Sequence, residues 1–345
     1  MTITIRILLA AITVIFTIGL TYASVEFPLL ASRALMDHVE APGFDATYHP
    51  EETEAFLGTH RLRLVGATGL ILTGFLILVG LVTERRAMAA TGAVLFFLPV
   101  FGHFAASMFF LAGLAALRVI WLPILDVSHE VLALGDAVYL PYAAAVYPLV
   151  NLGLDVRDTL PWVVMGLGVA IFIASTMTWM TSKYQGRGVA DAWLYRISRH
   201  PQYLGWIIWS YGLLLYVLRH SELYQFKIRW GVPSSLPWLI STLVIVGVAM
   251  IEEIRMVGSE GMLYESFKEK TPFLAPLPKW LARSISAPMR LLLGRAWPET
   301  GRQVAAVVAL YAAILIVASA PFVIFDWPPR TGWWGFPYNV WPLAG

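Results

Sequence analysis

The residues able to do chemistry gather in two places. From Tyr195 to Gly205 the chain reads Tyr-Arg-Ile-Ser-Arg-His-Pro-Gln-Tyr-Leu-Gly, placing Arg196, Arg199, His200 and Tyr203 within eight residues between two long apolar runs. About fifty residues later, Glu252-Glu253 closes the next apolar run. Guanidinium, imidazole and phenol groups can bind an anion, donate hydrogen bonds or pass a proton, while paired carboxylates can hold a cation or accept from hydroxyls. Pro201 disfavours helical geometry at His200 and suits the first turn of a following helix, so the chain is expected to turn into a span there. Gly205 leaves room for a neighbouring helix or for a ligand. Carboxylates at the end of a helix meet the negative pole of its dipole. Arg255 offsets this in part, and a cationic ligand or the arginines of the first cluster would do so better. The plain alternative is an interfacial anchor of Arg, His and Tyr, with the glutamates capping a helix end.

The chain that must position these groups has 345 residues, 58% hydrophobic and 13% charged, with a mean hydropathy of +0.69. Soluble domains carry about 25% charged residues, so roughly half of the usual charge is absent. Uncharged runs cover 7–25, 64–83, 87–117, 159–182, 201–218, 231–251 and 303–325. Each can cross a hydrocarbon core of about 30 Å. The expected fold is an all-α, polytopic helical membrane protein with about seven transmembrane helices, or eight if 137–154 also crosses. Pro141 and Pro148 interrupt that eighth run, which reads better as interfacial or re-entrant. The first run has no convincing cleavage site near Ala23-Ser24 and is kept as a span.

Charge sets the expected orientation. With the N-terminus in the cytoplasm, seven spans place Glu84-Arg85-Arg86, the 183–200 loop and 252–302 on the cytoplasmic side. Together with Arg6 these hold fifteen of the 24 Lys and Arg, the bias that cytoplasmic loops show. Counting 137–154 as a crossing reverses it. The net charge is +2, and the chain has no cysteine, which excludes disulfides and thiolate chemistry.

Other polar features have bland readings. His38, His49 and His60, near Glu40, Glu51 and Glu52, match no metal-ligand spacing and read as a solvated loop. His129-Glu130 lacks the second histidine of a His-Glu-x-x-His zinc site. His103 reads as a hydrogen-bonded interior residue. Lys279, Arg283, Arg290 and Arg295, mixed with Trp280, Leu281, Ile285 and Met289, suit an amphipathic helix in the headgroup plane. The tail, with Trp327, Trp333, Trp334, Tyr338 and Trp341, marks the opposite interface. No nucleic-acid patch or phosphate loop is present, so the partner expected from the residues is the bilayer, with no nucleic acid.

Arg199-His200-Pro201-Gln202-Tyr203-Leu204-Gly205 resembles the Arg-His-Pro-x-Tyr-x-Gly motif of the isoprenylcysteine carboxyl methyltransferase and phospholipid methyltransferase superfamily. Glu252-Glu253 falls where that family has its Glu-Glu pair. Gly261 to Phe267, then Thr271-Pro272-Phe273-Leu274-Ala275-Pro276, is similar to the family's ending. The resemblance covers about 160–278. It departs at Trp193-Leu194-Tyr195, where the family has Gly-Pro-Tyr, at Phe267 in place of a second Tyr, and in a small insertion after Gly258.

The resemblance implies S-adenosylmethionine as cofactor at the cytosolic face and a lipophilic methyl acceptor from the bilayer, a membrane lipid or a lipidated substrate. It implies Tyr195, His200, Pro201, Tyr203, Gly205, Glu252 and Glu253 as cofactor-binding residues, with Arg199 and Glu252 as catalytic candidates and no metal. It also implies three parts: N-terminal helices over 1–158 as a substrate route or as packing support, a methyltransferase-like core over 159–278, and an interfacial helix with the last span over 279–345. Two readings compete. Sterol and steroid reductases share an Arg-His-Pro-x-Tyr core and bind NADPH, but commonly have Asn where this chain has Gln202 and lack a clear Glu-Glu pair. A non-enzymatic membrane protein is the other, although no span carries a mid-membrane charge suited to ion-coupled transport.

Overall fold

The computed structural model describes residues 2–36, 58, 61–96, 118–125, 127–219 and 235–324. The loop bearing His38, His49 and His60, His103, any division of the 87–117 run near Pro99, and the aromatic tail lie outside these residues.

All regular structure among the described residues is helical. The helices are α1 (Ile3–Met36), α2 (Leu62–Val82), α3 (Arg86–Phe96), α4 (Leu140–Asn151), α5 (Thr159–Tyr184), α6 (Pro201–Arg219), α7 (Ser235–Glu260), α8 (Met262–Lys270), α9 (Lys279–Leu293) and α10 (Gly301–Ile324). Six stretches are long and apolar enough to cross a membrane: Ile3–Tyr22, Leu62–Val82, Val131–Asn151, Thr159–Tyr184, Ser235–Glu260 and Gly301–Ile324. The protein is a polytopic helical membrane protein. With nineteen residues, α6 is about 28 Å long and lies along α5 as a further member of the bundle.

The stretch Val131–Asn151 is not one continuous α-helix. It consists of 3₁₀ turns at His129–Ala133 and Asp136–Tyr139 followed by the twelve residues of α4. Its beginning is held at the start of α7, where a Cβ on Gly135 would lie 2.3 Å from the Ser235 carbonyl carbon. Ala137 N donates to Ser319 Oγ near the end of α10 (3.0 Å), and the Tyr142 hydroxyl donates to the Arg157 carbonyl just before α5 (3.2 Å). The stretch therefore enters and leaves at one end of the bundle, in line with the re-entrant reading.

The polar cluster of Arg199, His200, Tyr203, Glu252 and Glu253 sits at the opposite end. Here α2, α5 and α7 finish, and α3, α6 and α10 begin. Thr13 on α1 reaches Met180 Sδ (3.2 Å), while Thr17, Leu20 and Thr21 share a cleft with Val169, Phe172 and Trp209. Thus α1 runs antiparallel to α5, and its N-terminus points toward the same end.

Hydrophobic periodicity cannot explain how these helices associate, because lipid is as apolar as their side chains. Close backbone approach does. A Cβ on Gly168 would lie 2.3 Å from Trp209 N, one on Gly205 would lie 2.8 Å from Phe172 N, and one on Gly212 would lie 2.6 Å from Met165 N. The descending α5 partners of the ascending α6 residues make the pair antiparallel. Thr17, Thr73, Ser175 and Thr178 return their hydroxyls to the carbonyl four residues back, which removes unsatisfied donors from the apolar phase. Helix α7 is the most enclosed. Its Val244, Val248 and Ile251 pack with Leu81 of α2, Ala89 and Ala93 of α3, and Val304 and Val307 of α10.

Replacing Gly168 with Leu should therefore lower thermal stability in detergent by about 3 kcal/mol or more, since overpacking here meets backbone and not a flexible side chain. Gly166, two residues away, has nothing within 4 Å of its missing Cβ. Gly166→Ala should leave the melting temperature unchanged or raise it, because Ala is favoured over Gly in a helix by about 1 kcal/mol. Thermal unfolding of both variants checks the packing assignment.

Candidate functional site

Glu253 is fully buried. Its Oε1 accepts from Arg199 Nε at 2.5 Å and lies 3.2 Å from His200 Nε2, while its Oε2 accepts from the other Arg199 branch at 3.2 Å. Lys268 Nζ stands 3.8 Å from Oε2. The fork of Arg199 on Glu253 is bidentate, the geometry in which an arginine–carboxylate pair is strongest.

Arg199 also closes the end of α8. Its remaining guanidinium nitrogen donates to the carbonyls of Lys268 (2.7 Å) and Thr271 (2.8 Å), and its backbone N–H donates to the Pro272 carbonyl (2.9 Å). Carbonyls at a helix C-terminus have no partner within the helix, and a cation suits them. One side chain thus joins the turn before α6, the inner face of α7 and the end of α8. Phe273 and Trp297 cover it, with Arg199 Cζ 5.7 Å and 5.8 Å from their ring centres and Lys268 Nζ 5.1 Å from the Trp297 ring. The His200 ring meets Phe273 edge to face at 5.1 Å.

Glu252 faces the other way. Its side chain is 31% exposed, its Oε2 accepts from the Tyr203 hydroxyl at 2.9 Å, and Arg86 stands 3.3 Å from its Oε1. Buried Tyr195 lies close enough that the Glu252 charge acts on it. Burial first, then Glu252, holds the Tyr195 phenol above its ordinary range. Burial likewise raises the Tyr264 phenol, with Glu253 adding to it. Burial depresses the Lys268 ammonium, an effect that Glu253 opposes and Arg199 reinforces.

Arg86 arrives through a strained turn. Glu84 takes a left-handed conformation, φ 59°, which costs a non-glycine residue about 1–2 kcal/mol. Two contacts hold it: the Glu84 carboxylate accepts from Gly301 N at 2.9 Å, and its carbonyl accepts from Arg255 at 2.5 Å. Gly301 has no room for a side chain, since a Cβ would lie 2.3 Å from the Leu81 carbonyl oxygen.

The fold brings Tyr195, Arg199, His200, Tyr203, Glu252 and Glu253 together. It also divides them. Glu253, expected to bind a cofactor, spends its carboxylate on Arg199, His200 and Lys268 inside the protein. Arg199, expected as a catalytic candidate, is buried with its guanidinium engaged by Glu253 and by the Lys268 and Thr271 carbonyls. Buried Pro201 starts α6, and Gly205 faces the backbone of α5, where a side chain would have no room. The dipole argument for the glutamates is also corrected, because α7 continues to Glu260 and places both about two turns inside the helix. Their charges are answered by Arg199 and Arg86 instead. Sequence reasoning passed over Arg86, Lys268, Phe273 and Trp297 as site residues. The run Glu84-Arg85-Arg86 is the available signal, and by itself it marks only topology.

The two glutamates should respond differently to the same change. Glu253→Gln leaves Arg199 buried without its countercharge and should cost about 3–5 kcal/mol of stability. Glu252→Gln removes a half-exposed pair worth about 0–1 kcal/mol. Melting curves of the two variants in one detergent check this, and equal losses would contradict the division.

Among known proteins, no family model, no curated protein and no solved structure matches the chain, so the functional reading stands on the chemistry of this bundle end and on the motif resemblance.

Proposed function

We propose that this protein is an integral-membrane methyltransferase that uses S-adenosylmethionine and passes the methyl group to a lipid or lipid-like acceptor. The observation that carries the reading is the half-exposed Glu252, oriented by Tyr203 and flanked by Tyr195, beside a buried clamp that holds Arg199 and His200. A carboxylate framed by phenols suits a cationic donor. The residues of this frame are those in which the sequence resembles the methyltransferase superfamily.

The donor supplies an activated methyl group: its carbon–sulfur bond breaks as the bond to the acceptor forms, and the sulfur leaves neutral. No protein nucleophile is required, so positioning is the main demand. Glu252 would hold the donor's ammonium, and Tyr203 would fix the carboxylate's orientation. His200 and Phe273 would exclude water from the inner wall. Glu253 and Arg199 would keep that wall in place. The surroundings favour an acceptor that arrives from lipid. Trp193, Ile197, Met262 and Leu263 are exposed around the site, as are Trp280 and Leu291 on α9, whose Lys279, Arg283 and Arg290 form a separate basic stripe. The distribution of Lys and Arg supports a site at the cytoplasmic face.

Calorimetry in detergent tests the reading. S-adenosylmethionine should bind saturably, and Glu252→Gln should weaken it by about tenfold or more without loss of the folded state. Saturable binding of NADPH with none of S-adenosylmethionine would overturn the proposal in favour of a reductase.

A further inference from the structure

Arg86 lies outside the stretch that resembles the methyltransferases, yet the fold delivers it to Glu252. It is the first residue of α3, where a cation gains nothing from the helix dipole. The turn that places it is held in a left-handed conformation by Gly301 and Arg255. Helix stability therefore gives little reason for a guanidinium here, and the local geometry gives it a fixed address.

The pair that Arg86 makes is easily opened. Its nearest approach is 3.3 Å, and the two side chains are 39% and 31% exposed. Exposed pairs of this kind are weak. When Arg86 moves away, Tyr203 still holds the second oxygen of Glu252. A group carrying both charges, an ammonium and a carboxylate on one carbon, can take the place of this direct pair with two: ammonium to Glu252, carboxylate to Arg86.

We infer that Arg86 and Glu252 together form a split receptor for a zwitterionic α-amino-acid group, with Arg86 as the residue that reads its carboxylate. The inference rests on the methyl-donor reading, because the donor's methionine portion is such a zwitterion, and it assigns a specificity residue to the N-terminal half of the chain.

The test compares two ligands on the full-length protein in detergent by calorimetry: S-adenosylmethionine and its decarboxylated form, which keeps the sulfonium and the ammonium. The wild-type protein should prefer S-adenosylmethionine by about tenfold or more. Arg86→Gln should bring the two ligands to within about twofold of each other, with Arg86→Lys intermediate, because a lysine keeps the charge but loses the fork. A wild-type ratio retained in Arg86→Gln would overturn the inference alone, and so would tighter binding of both ligands, which would make Arg86 only a competing countercharge. Absence of binding of either ligand to the wild-type protein would overturn the methyl-donor reading and this inference with it.

Discussion

A buried negative charge organises the end of this bundle. Removed from water, Glu253 would be strongly destabilising without compensation, and the surrounding chain is arranged to compensate it. Arg199 grips both oxygens, His200 approaches one of them and Lys268 the other. Since Arg199 also holds the carbonyls of Lys268 and Thr271, satisfying the charge fixes three chain segments at once. The turn into α6, the inner face of α7 and the end of α8 are positioned by one electrostatic requirement.

That constraint reaches through the bundle by rigid contact. The start of α6 cannot shift without moving its backbone against α5, because Gly168, Gly205 and Gly212 leave no slack between the two helices. On its other side α7 packs against α2, α3 and α10, and the Glu84 turn ties the α2–α3 junction to the start of α10. The N-terminal helices are thus structurally continuous with the candidate site, and Arg86 is their contribution to it.

Two adjacent residues of one type have come to do different work because a helix separates neighbours by about 100°. Glu253 points into the protein and acts as a structural counterion. Glu252 points toward the half-open end, where Tyr203 orients it and Arg86 meets it. A dry charge stabilises the wall, and a partly solvated one remains able to exchange partners. The proposed function needs both.

The arrangement as a membrane bundle was legible in composition, because uncharged runs of about twenty residues have few other stable fates in water or lipid. Pro141 and Pro148 marked the stretch that the fold breaks into 3₁₀ turns and a short helix, and the spacing of Arg199, His200, Tyr203 and Glu252-Glu253 marked the polar end. Which glutamate is buried was not legible, since two consecutive residues carry no information on which faces inward until α7 has packed. Gly205 was equally open between helix and ligand, and the fold sets it against the backbone of α5. Arg86 was read for its sign alone, because its partner lies 166 residues away and only the fold joins them. The sequence by itself determined the membrane architecture and the chemical inventory through local patterns of polarity and spacing. The tertiary structure alone decided which charges are paired, buried or left half open, because those properties belong to contacts between distant segments.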